Sequence, residues 1–320
     1  MPLNDYPEIE ILEVSDSSLG MLHSCNRKFE FRKILQSDRW EDSYAAGTGT
    51  AMHAGMQHYA VHKDIDKAIF EMLMHYPYEF TKTPYDQRSW QSCVGSMVAA
   101  MKFMESEMKG WELAHINNGT QVVPAIEVPF ALVLEDVPFY PDGRTIKIKY
   151  IGYIDFILYN AFTDRYRVVD LKTTTTTADP SQQYKFADQC LPYGLVLEAL
   201  LNHDFREGFD VLYWNNYIHP LEPKNELISF TKSEVDMQEW MAGFLDDIGI
   251  IRRSFQTKFF RRNSKACIAY GKPCRFFDLC ESRDIQKIRQ YLIFEENAQD
   301  LSGRTPRPKP WLEIQLEYAA

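Results

Sequence analysis

The sequence lacks the features that mark membrane and secreted proteins. No run approaches the ~18 consecutive apolar residues that a membrane-spanning helix needs. Residues 1–18 are acidic, where a signal peptide would be basic and then apolar. Apolar residues still make up 45% of the 320, which is ample for a core. We therefore expect a cytoplasmic globular protein that makes no use of a membrane.

Basic charge is also scarce. The formal net charge of -10 argues against a protein that coats nucleic acid with a basic surface. It does not exclude an enzyme whose metal ion balances its carboxylates. One block of the sequence is basic, because residues 252–275 contain Lys and Arg but no Asp or Glu. We predict that it contacts a nucleic-acid backbone through Arg252, Arg253, Arg261 and Arg262; the alternative is a solvated helix face.

The most informative stretch runs from Gly152 to Lys172. Two runs rich in β-branched and aromatic residues, 150–159 and 165–171, flank a polar turn, which predicts a strand, a turn and a second strand. Asp155 lies within the first strand and Asp170 at the far end of the second, so antiparallel pairing brings both carboxylates to one end of a sheet. Lys172, two residues beyond Asp170, shares its face.

This arrangement suits hydrolysis of phosphodiesters. Hard carboxylate oxygens hold Mg²⁺ or Mn²⁺, which polarises the phosphate and lowers the pKa of a bound water. A nearby ammonium group then orients the water and stabilises the charge that develops. The alternative is a surface hairpin, because the short pattern Asp-x-Lys is common without any such role.

The rest of the chain predicts helices and strands around this hairpin. A first helix is capped by Ser17 or Ser18, with Cys25 in its middle. A glycine-containing loop, 47–53, then leads into a helix that ends near Tyr76. The further predictions are a helix over 85–113, strands over 121–134 and 146–150, one helix from Asp179 to about Asn202, strands over 209–217 and 227–230, and a helix from Thr231 or Ser233 to about Phe260.

Four motifs follow one another along the chain: Gly49-x-x-x-His53, Gly152-x-x-Asp155, Asp170-Leu171-Lys172 and Gln189-x-x-x-Tyr193. Their order resembles that of the RecB-type nucleases of the PD-(D/E)XK superfamily. That family includes the AddB nuclease domain and the CRISPR-associated RecB-like exonucleases. The likeness spans about residues 17–280.

The resemblance implies a role for each motif. His53, Asp155, Asp170 and the Leu171 carbonyl would ligate the catalytic metal, Lys172 would help to activate water, and Gln189 and Tyr193 would help to hold Lys172 or the DNA. By pattern alone, His58 and His62 rival His53, and Gln189 and Tyr193 are equally typical of an exposed polar residue and a core aromatic. Glu127 stands where such proteins often carry a glutamate, but it is not in the predicted ligand set.

Six cysteines in a chain of this kind do not suggest disulfides. Thiolates are soft ligands for iron–sulfur clusters or zinc. The arrangement of Cys25 near one end and Cys267, Cys274 and Cys280 near the other resembles the 4Fe–4S cluster of the same family, although six residues, not two, separate Cys267 from Cys274. Zinc and free thiols are the alternatives. Cys93 and Cys190 are predicted to be ordinary buried residues.

We therefore predict an α/β fold with a restriction-endonuclease-like mixed sheet core flanked by helices. The predicted regions are a helical N-terminal region (1–120), a nuclease core (121–230), a helix and iron–sulfur region (231–303) and a tail (304–320). The predicted activity is a Mg²⁺- or Mn²⁺-dependent deoxyribonuclease, with exonuclease action in recombination, repair or replication implied by the resemblance. The alternative is an inactive DNA-binding or assembly factor with a structural iron–sulfur or zinc site.

The expected partners follow from the same resemblance. DNA is the substrate, and a helicase or recombination protein is a candidate partner, since the chain has no Walker A loop of its own. A small nuclease without a helicase segment suits a phage or another mobile element.

Overall fold

A computed structural model describes residues 6–35, 44–78, 86–176, 179–201, 208–269, 272–282 and 310–316. The predicted extended segment 304–310 lies almost wholly outside these residues, as does Gly271 of the cysteine loop. None of the described helices is long and apolar enough to cross a membrane.

The helices are α1 (Asp16–Ser24), α2 (Asn26–Phe29), α3 (Tyr44–His62), α4 (Ile65–Met74), α5 (Trp90–Glu107), α6 (Ser181–Lys185), α7 (Tyr193–Leu201), α8 (Glu234–Gln256) and α9 (Phe277–Ser282). The strands are β1 (Ile11–Val14), β2 (Glu112–Leu113), β3 (His115–Asn117), β4 (Val122–Pro124), β5 (Ile126–Pro138), β6 (Thr145–Asn160), β7 (Arg165–Thr174), β8 (Phe209–Tyr217), β9 (Lys224–Lys232), β10 (Ile268–Ala269), β11 (Lys272–Pro273) and β12 (Leu312–Leu316).

One compact unit comprises residues 41–128 and 153–238. It contains a mixed sheet, because β6 pairs antiparallel with β7, β7 parallel with β8, and β8 antiparallel with β9. The core of the unit lies between this sheet and helices α3, α4 and α5, whose buried methionines and alanines pack against Phe156, Leu171 and Trp214. The predicted fold class, a mixed sheet flanked by helices, is confirmed.

The predicted glycine loop before His53 is wrong. Residues 47–53 are helical, since α3 begins at Tyr44. The glycines serve close packing instead: a Cβ at Gly47 would stand 2.9 Å from the ring of Pro77, and one at Gly49 would stand 3.2 Å from Thr173 Oγ1. Glycine in this helix therefore reflects how closely its neighbours approach.

Two predicted continuous helices are broken. The helix beyond His53 stops at His62, where Lys63 takes a positive φ of 54° and Asp64 caps α4 by accepting from Lys67 N at 3.0 Å. The helix predicted from Asp179 to Asn202 is also wrong, because residues 186–192 form turns between α6 and α7. Gln189 therefore lies in this connection and not on a helix.

The other compact unit comprises residues 1–40, 129–152 and 239–320. Within it, β1 pairs parallel with the first half of β6, and β12 pairs parallel with β5. A strand thus occupies part of the region that was predicted to be a tail. The prediction of one long helix with Cys25 in its middle is wrong. The backbone of Cys25 is extended (φ -167°, ψ 109°), and this residue separates α1 from α2.

Candidate active site

The strands β6 and β7 place two carboxylates side by side. Their antiparallel register pairs Phe156 with Val169. Asp155 comes just before Phe156 and Asp170 just after Val169, so the two aspartates lie at the same end of the strand pair. The Leu171 backbone N–H donates to Asp155 Oδ2 at 2.7 Å. Gly152 begins the motif because a Cβ there would overlap the ring of Phe130. The hairpin predicted from the sequence is confirmed, and it orients the Asp155 carboxylate towards β7.

Helix α3 brings His53 to the same place. Its Nε2 donates to the Leu171 carbonyl at 2.9 Å, and its Nδ1 lies 3.6 Å from Asp155 Oδ1. The helix approaches β7 closely at Gly49, whose neighbour there is Thr173. The glycine of the Gly49-x-x-x-His53 motif therefore lets the histidine reach the strand.

Glu127 on β5 completes the group. Its Oε1 lies 3.8 Å from His53 Nδ1 and accepts from Gln57 Nε2 at 2.5 Å. Its backbone φ of 45° lies in the left-handed region, which is uncommon for a residue other than glycine and occurs often at functional sites. The predicted ligand set omitted this residue, and its position before the core strands was the only signal for it.

The three side chains His53, Glu127 and Asp155 fit a metal ion. One ligand atom from each lies within 4.8 Å of the other two. Ligands of an octahedral ion with bonds of about 2.1 Å stand about 3.0 Å apart in cis and about 4.2 Å apart in trans. The separations of 3.6 and 3.8 Å from His53 Nδ1 fall between these values. An imidazole and two carboxylates suit a divalent cation.

The pKa values of the site show repulsion between its carboxylates, which a bound cation would reduce. Burial raises the pKa of Asp155 to about 7, with Asp170 and Glu127 adding to the rise and His53 opposing it. Burial lowers the pKa of His53, but the carboxylates Asp155, Glu127 and Asp170 outweigh this and raise the pKa to about 9. Three acidic groups therefore crowd one imidazole.

Asp170 and Lys172 form a second cluster with Gln189. Lys172 Nζ lies 2.7 Å from Asp170 Oδ2 and donates to Gln189 Oε1 at 2.8 Å, and Gln189 Nε2 donates to Asp170 Oδ1 at 3.2 Å. Asp170 is only 2% exposed. Burial lowers the pKa of Lys172, but Asp170 outweighs it and the net shift is upward. Lys172 is therefore held as an ammonium ion.

Tyr193, the second named residue of the Gln189-x-x-x-Tyr193 motif, contacts the backbone of β6. It is the first residue of α7, is buried, and donates through its hydroxyl to the Tyr153 carbonyl at 3.0 Å. The structure thus places Gln189 against Lys172 and Tyr193 against the backbone of β6. The predicted i, i+4 helical relation between the two is wrong.

The four cysteines of the predicted cluster line one pocket. Cys25 lies at the junction of α1 and α2, Cys267 and Cys274 lie beside the β10–β11 pair, and Cys280 lies on α9. Cys274 N donates to the Cys267 carbonyl at 2.7 Å. The other residues lining the pocket are apolar or basic: Lys28, Phe31, Arg262, Ala266, Phe276 and Phe277. Cys93 and Cys190 are buried elsewhere, as predicted.

The four predicted backbone-contacting arginines lie in or after α8. Arg252 and Arg253 belong to its last turns, while Arg261 and Arg262 lie in the irregular segment that follows. Arg253, Arg261 and Arg262 are exposed. Arg262 also lines the cysteine pocket, and the Arg261 carbonyl accepts from Arg27 N at 3.2 Å.

Comparisons with known proteins match the chain to one family. The family model described as PD-(D/E)XK nuclease superfamily matches residues 13–281. Among solved structures, the "Putative exonuclease" of Eubacterium rectale is 15% identical and has a TM-score of 0.47, covering 84% of this chain and 92% of its own. The protein SSO0001 is 12% identical with a TM-score of 0.24, covering 73% and 85%. No curated protein matches.

Proposed function

The chain belongs to the PD-(D/E)XK nuclease superfamily, and from that premise we propose that it is a Mg²⁺- or Mn²⁺-dependent deoxyribonuclease that degrades DNA from an end. The observation that supports this most is the joint placement of two groups. The first is a group of three side chains whose ligand atoms are spaced to hold one metal ion: His53, Glu127 and Asp155. The second is Lys172, which Asp170 and Gln189 hold next to that group along β7.

The ion, when bound, would polarise the phosphate and lower the pKa of a water. His53, Glu127 and Asp155 would hold it, and the Leu171 carbonyl accepts from His53 Nε2, which leaves Nδ1 to face the two carboxylates. Lys172 has a raised pKa and therefore carries a proton at neutral pH. It would orient the attacking water and donate a hydrogen bond to the developing negative charge.

The exonuclease preference, and a role in recombination, repair or replication beside a helicase or recombination protein, follow from the family resemblance. Arg253, Arg261 and Arg262 would contribute exposed positive charge to DNA binding. For Arg252 we propose the same role because it lies on α8 beside Arg253.

We also propose that Cys25, Cys267, Cys274 and Cys280 hold a structural 4Fe–4S cluster. Thiolates are the ligands of such clusters, and all four cysteines line one pocket. Lys28 and Arg262 in the same wall would offset part of the negative charge of four thiolates. Burial, with the neighbouring thiols, raises the pKa of Cys280 to about 11, and Arg27 opposes the rise.

Metal analysis distinguishes the proposed cluster from a zinc site held by the same four cysteines. Anaerobic purification should give iron and sulfide in equal amounts; one zinc per chain would contradict the cluster.

The deciding experiment for the nuclease is release of label from linear DNA. Single- and double-stranded substrates carry label at the 5′ or the 3′ end, and Mg²⁺ or Mn²⁺ is added to the anaerobically purified chain. We expect metal-dependent release that Lys172→Ala loses and the exposed control Lys67→Ala keeps. If the chain and Lys172→Ala release label equally, or neither does, the nuclease proposal fails and an inactive DNA-binding role replaces it. Cleavage of closed circular DNA would contradict action from an end.

A further inference from the structure

The connection between α6 and α7 lies against the catalytic strands. At one side of it, the Tyr184 hydroxyl donates to Asn215 Oδ1 at 2.6 Å, and Asn215 is the register partner of Lys172 on β8. At the other side, Gln189 bonds Lys172 and Asp170. The residues between these two points are therefore held next to the site of cleavage.

A buried lysine fixes the backbone of this connection. Lys232, at the end of β9, is 4% exposed and donates to the carbonyls of Lys185 at 2.8 Å and Ala187 at 3.3 Å, and to that of Tyr184 at 3.5 Å. Burying an ammonium ion is costly unless its donors are satisfied. These contacts satisfy the donors and pin the chain on both sides of Phe186.

The pinned segment presents an aromatic ring to solvent. Phe186 is 74% exposed. Lys185 Nζ stands 5.6 Å from the centre of that ring, in a cation–π arrangement. A single exposed aromatic is common on protein surfaces. This one is unusual because its backbone is anchored and its neighbour Gln189 touches the catalytic lysine.

The surroundings suit a nucleobase better than a protein. The neighbours of Phe186 in the sequence that are exposed are polar, namely Gln182, Gln183, Lys185 and Asp188. The core of a protein interface is instead a group of packed apolar side chains. Proteins that bind single strands combine aromatic rings, on which bases stack, with cations that meet the phosphates. A base inside a duplex is stacked on both faces, so such a ring favours unpaired strands, whose bases are free to leave the stack.

We propose that Phe186 stacks on a nucleobase of a single-stranded DNA end and that Lys185 contacts the adjoining phosphate. This rests on the proposed function, since it names the form of DNA that the same site takes. Single-stranded DNA, or an end that has frayed, is then the substrate.

A binding measurement tests the proposal separately from cleavage. A single-stranded oligonucleotide with 2-aminopurine near its end is titrated with the Lys172→Ala chain in the presence of Mg²⁺. Stacking on an aromatic ring changes the fluorescence of this base. Adding Phe186→Ala should remove the change and raise Kd about tenfold, whereas Phe186→Trp should keep both. Phe162→Ala is the control, because Phe162 is 97% exposed on the turn at the other end of the β6–β7 hairpin.

The same variants are then assayed for cleavage without the Lys172 change. Phe186→Ala should raise KM for single-stranded DNA about tenfold and leave kcat within about twofold. Equal binding and equal KM in Phe186→Ala and the unaltered chain would overturn the proposal while leaving the nuclease intact. Loss of self-association in Phe186→Ala, with DNA binding unchanged, would assign the ring to a protein contact and also overturn it. If no DNA is cleaved but the fluorescence change depends on Phe186, the nuclease fails and the stacking stands.

Discussion

The carboxylate site and the cysteine pocket are built in opposite ways. The carboxylate site draws its side chains from a long helix and two long strands, with His53 on α3, Asp155 on β6 and Glu127 near the start of β5. The cysteine pocket draws mainly on connections, since Cys25 separates α1 from α2 and Cys267 and Cys274 lie just outside the β10–β11 pair. The proposed cluster would therefore join segments that are far apart in the sequence, whereas the carboxylate site is positioned by long regular elements.

This contrast predicts different costs of losing each site. Buried carboxylates that repel one another do not stabilise a fold, and their value lies in catalysis. A metal centre that joins distant segments contributes its binding free energy to folding. Loss of the first should abolish activity at little cost in stability, and loss of the second should lower stability directly.

Asp155→Asn should have the largest effect on catalysis. It removes a predicted ligand, and we expect activity to fall by about 10³-fold or more. Because burial raises the pKa of Asp155 to about 7, removing its charge should leave Tm unchanged or higher. Label release and thermal unfolding are measured together, with the exposed Asp164→Asn as control. A large fall in Tm would show that the carboxylate is structural.

Cys274→Ser should have the opposite effect from Asp155→Asn, because its main consequence should be a loss of stability. Losing one ligand of the proposed cluster should remove iron and destabilise the chain by several kcal/mol, which lowers Tm by about 10 °C. The measurements are iron content and thermal unfolding under anaerobic conditions. Cys93→Ala, which removes a buried thiol outside the pocket, should keep its iron. Equal iron in both variants would show that Cys274 is not needed to hold the metal and would erase the contrast.

Glu127→Gln tests the residue that the predicted ligand set omitted. We expect activity to fall about tenfold to a hundredfold and the Mg²⁺ concentration for half-maximal activity to rise, because a neutral amide is a weaker ligand than a carboxylate. A metal titration of label release measures this. Glu71→Gln on α4 serves as control. An unchanged metal requirement would limit the site to His53, Asp155 and the groups on β7.

Much of this fold follows from local sequence pattern. The strands β6 and β7 and the residues at their shared end follow from alternation and turn chemistry, which act over a few residues. The features that were missed depend on tertiary contacts. The glycines of α3 resemble a loop in sequence, but they allow Pro77 and Thr173 to approach the helix. The left-handed backbone of Glu127 has no signature in the sequence at all.

The broken helix around Gln189 has a similar cause. The pattern from residue 179 to 202 is compatible with one helix, and propensity is a weak guide where tertiary bonds compete. Lys232 takes carbonyls at the end of α6 that a continuing helix would use internally. The sequence separation of about 45 residues hides this bond from any local pattern.

Lys232→Met should have a moderate effect on both properties. It leaves the carbonyls of Lys185 and Ala187 without this donor, at a cost of about 1–3 kcal/mol. Because the connection that carries Gln189 becomes looser, kcat should fall severalfold. Lys224→Met, at the exposed start of β9, is the matched control. A fall in stability with kcat unchanged would show that the lysine supports the fold but does not position Gln189.

The smallest expected effect on activity is that of Tyr193→Phe, and comparing it with Gln189→Ala separates the roles of the two residues of the Gln189-x-x-x-Tyr193 motif. Tyr193→Phe removes only the hydroxyl that donates to the Tyr153 carbonyl, so stability should fall by about 1 kcal/mol and label release should stay within about twofold. Gln189→Ala removes both bonds to Lys172 and Asp170, and activity should fall about tenfold. Equal losses of activity would mean that Tyr193 reaches the reacting groups. The expected difference would place Tyr193 with the framework and Gln189 with the chemistry, although the two stand four residues apart.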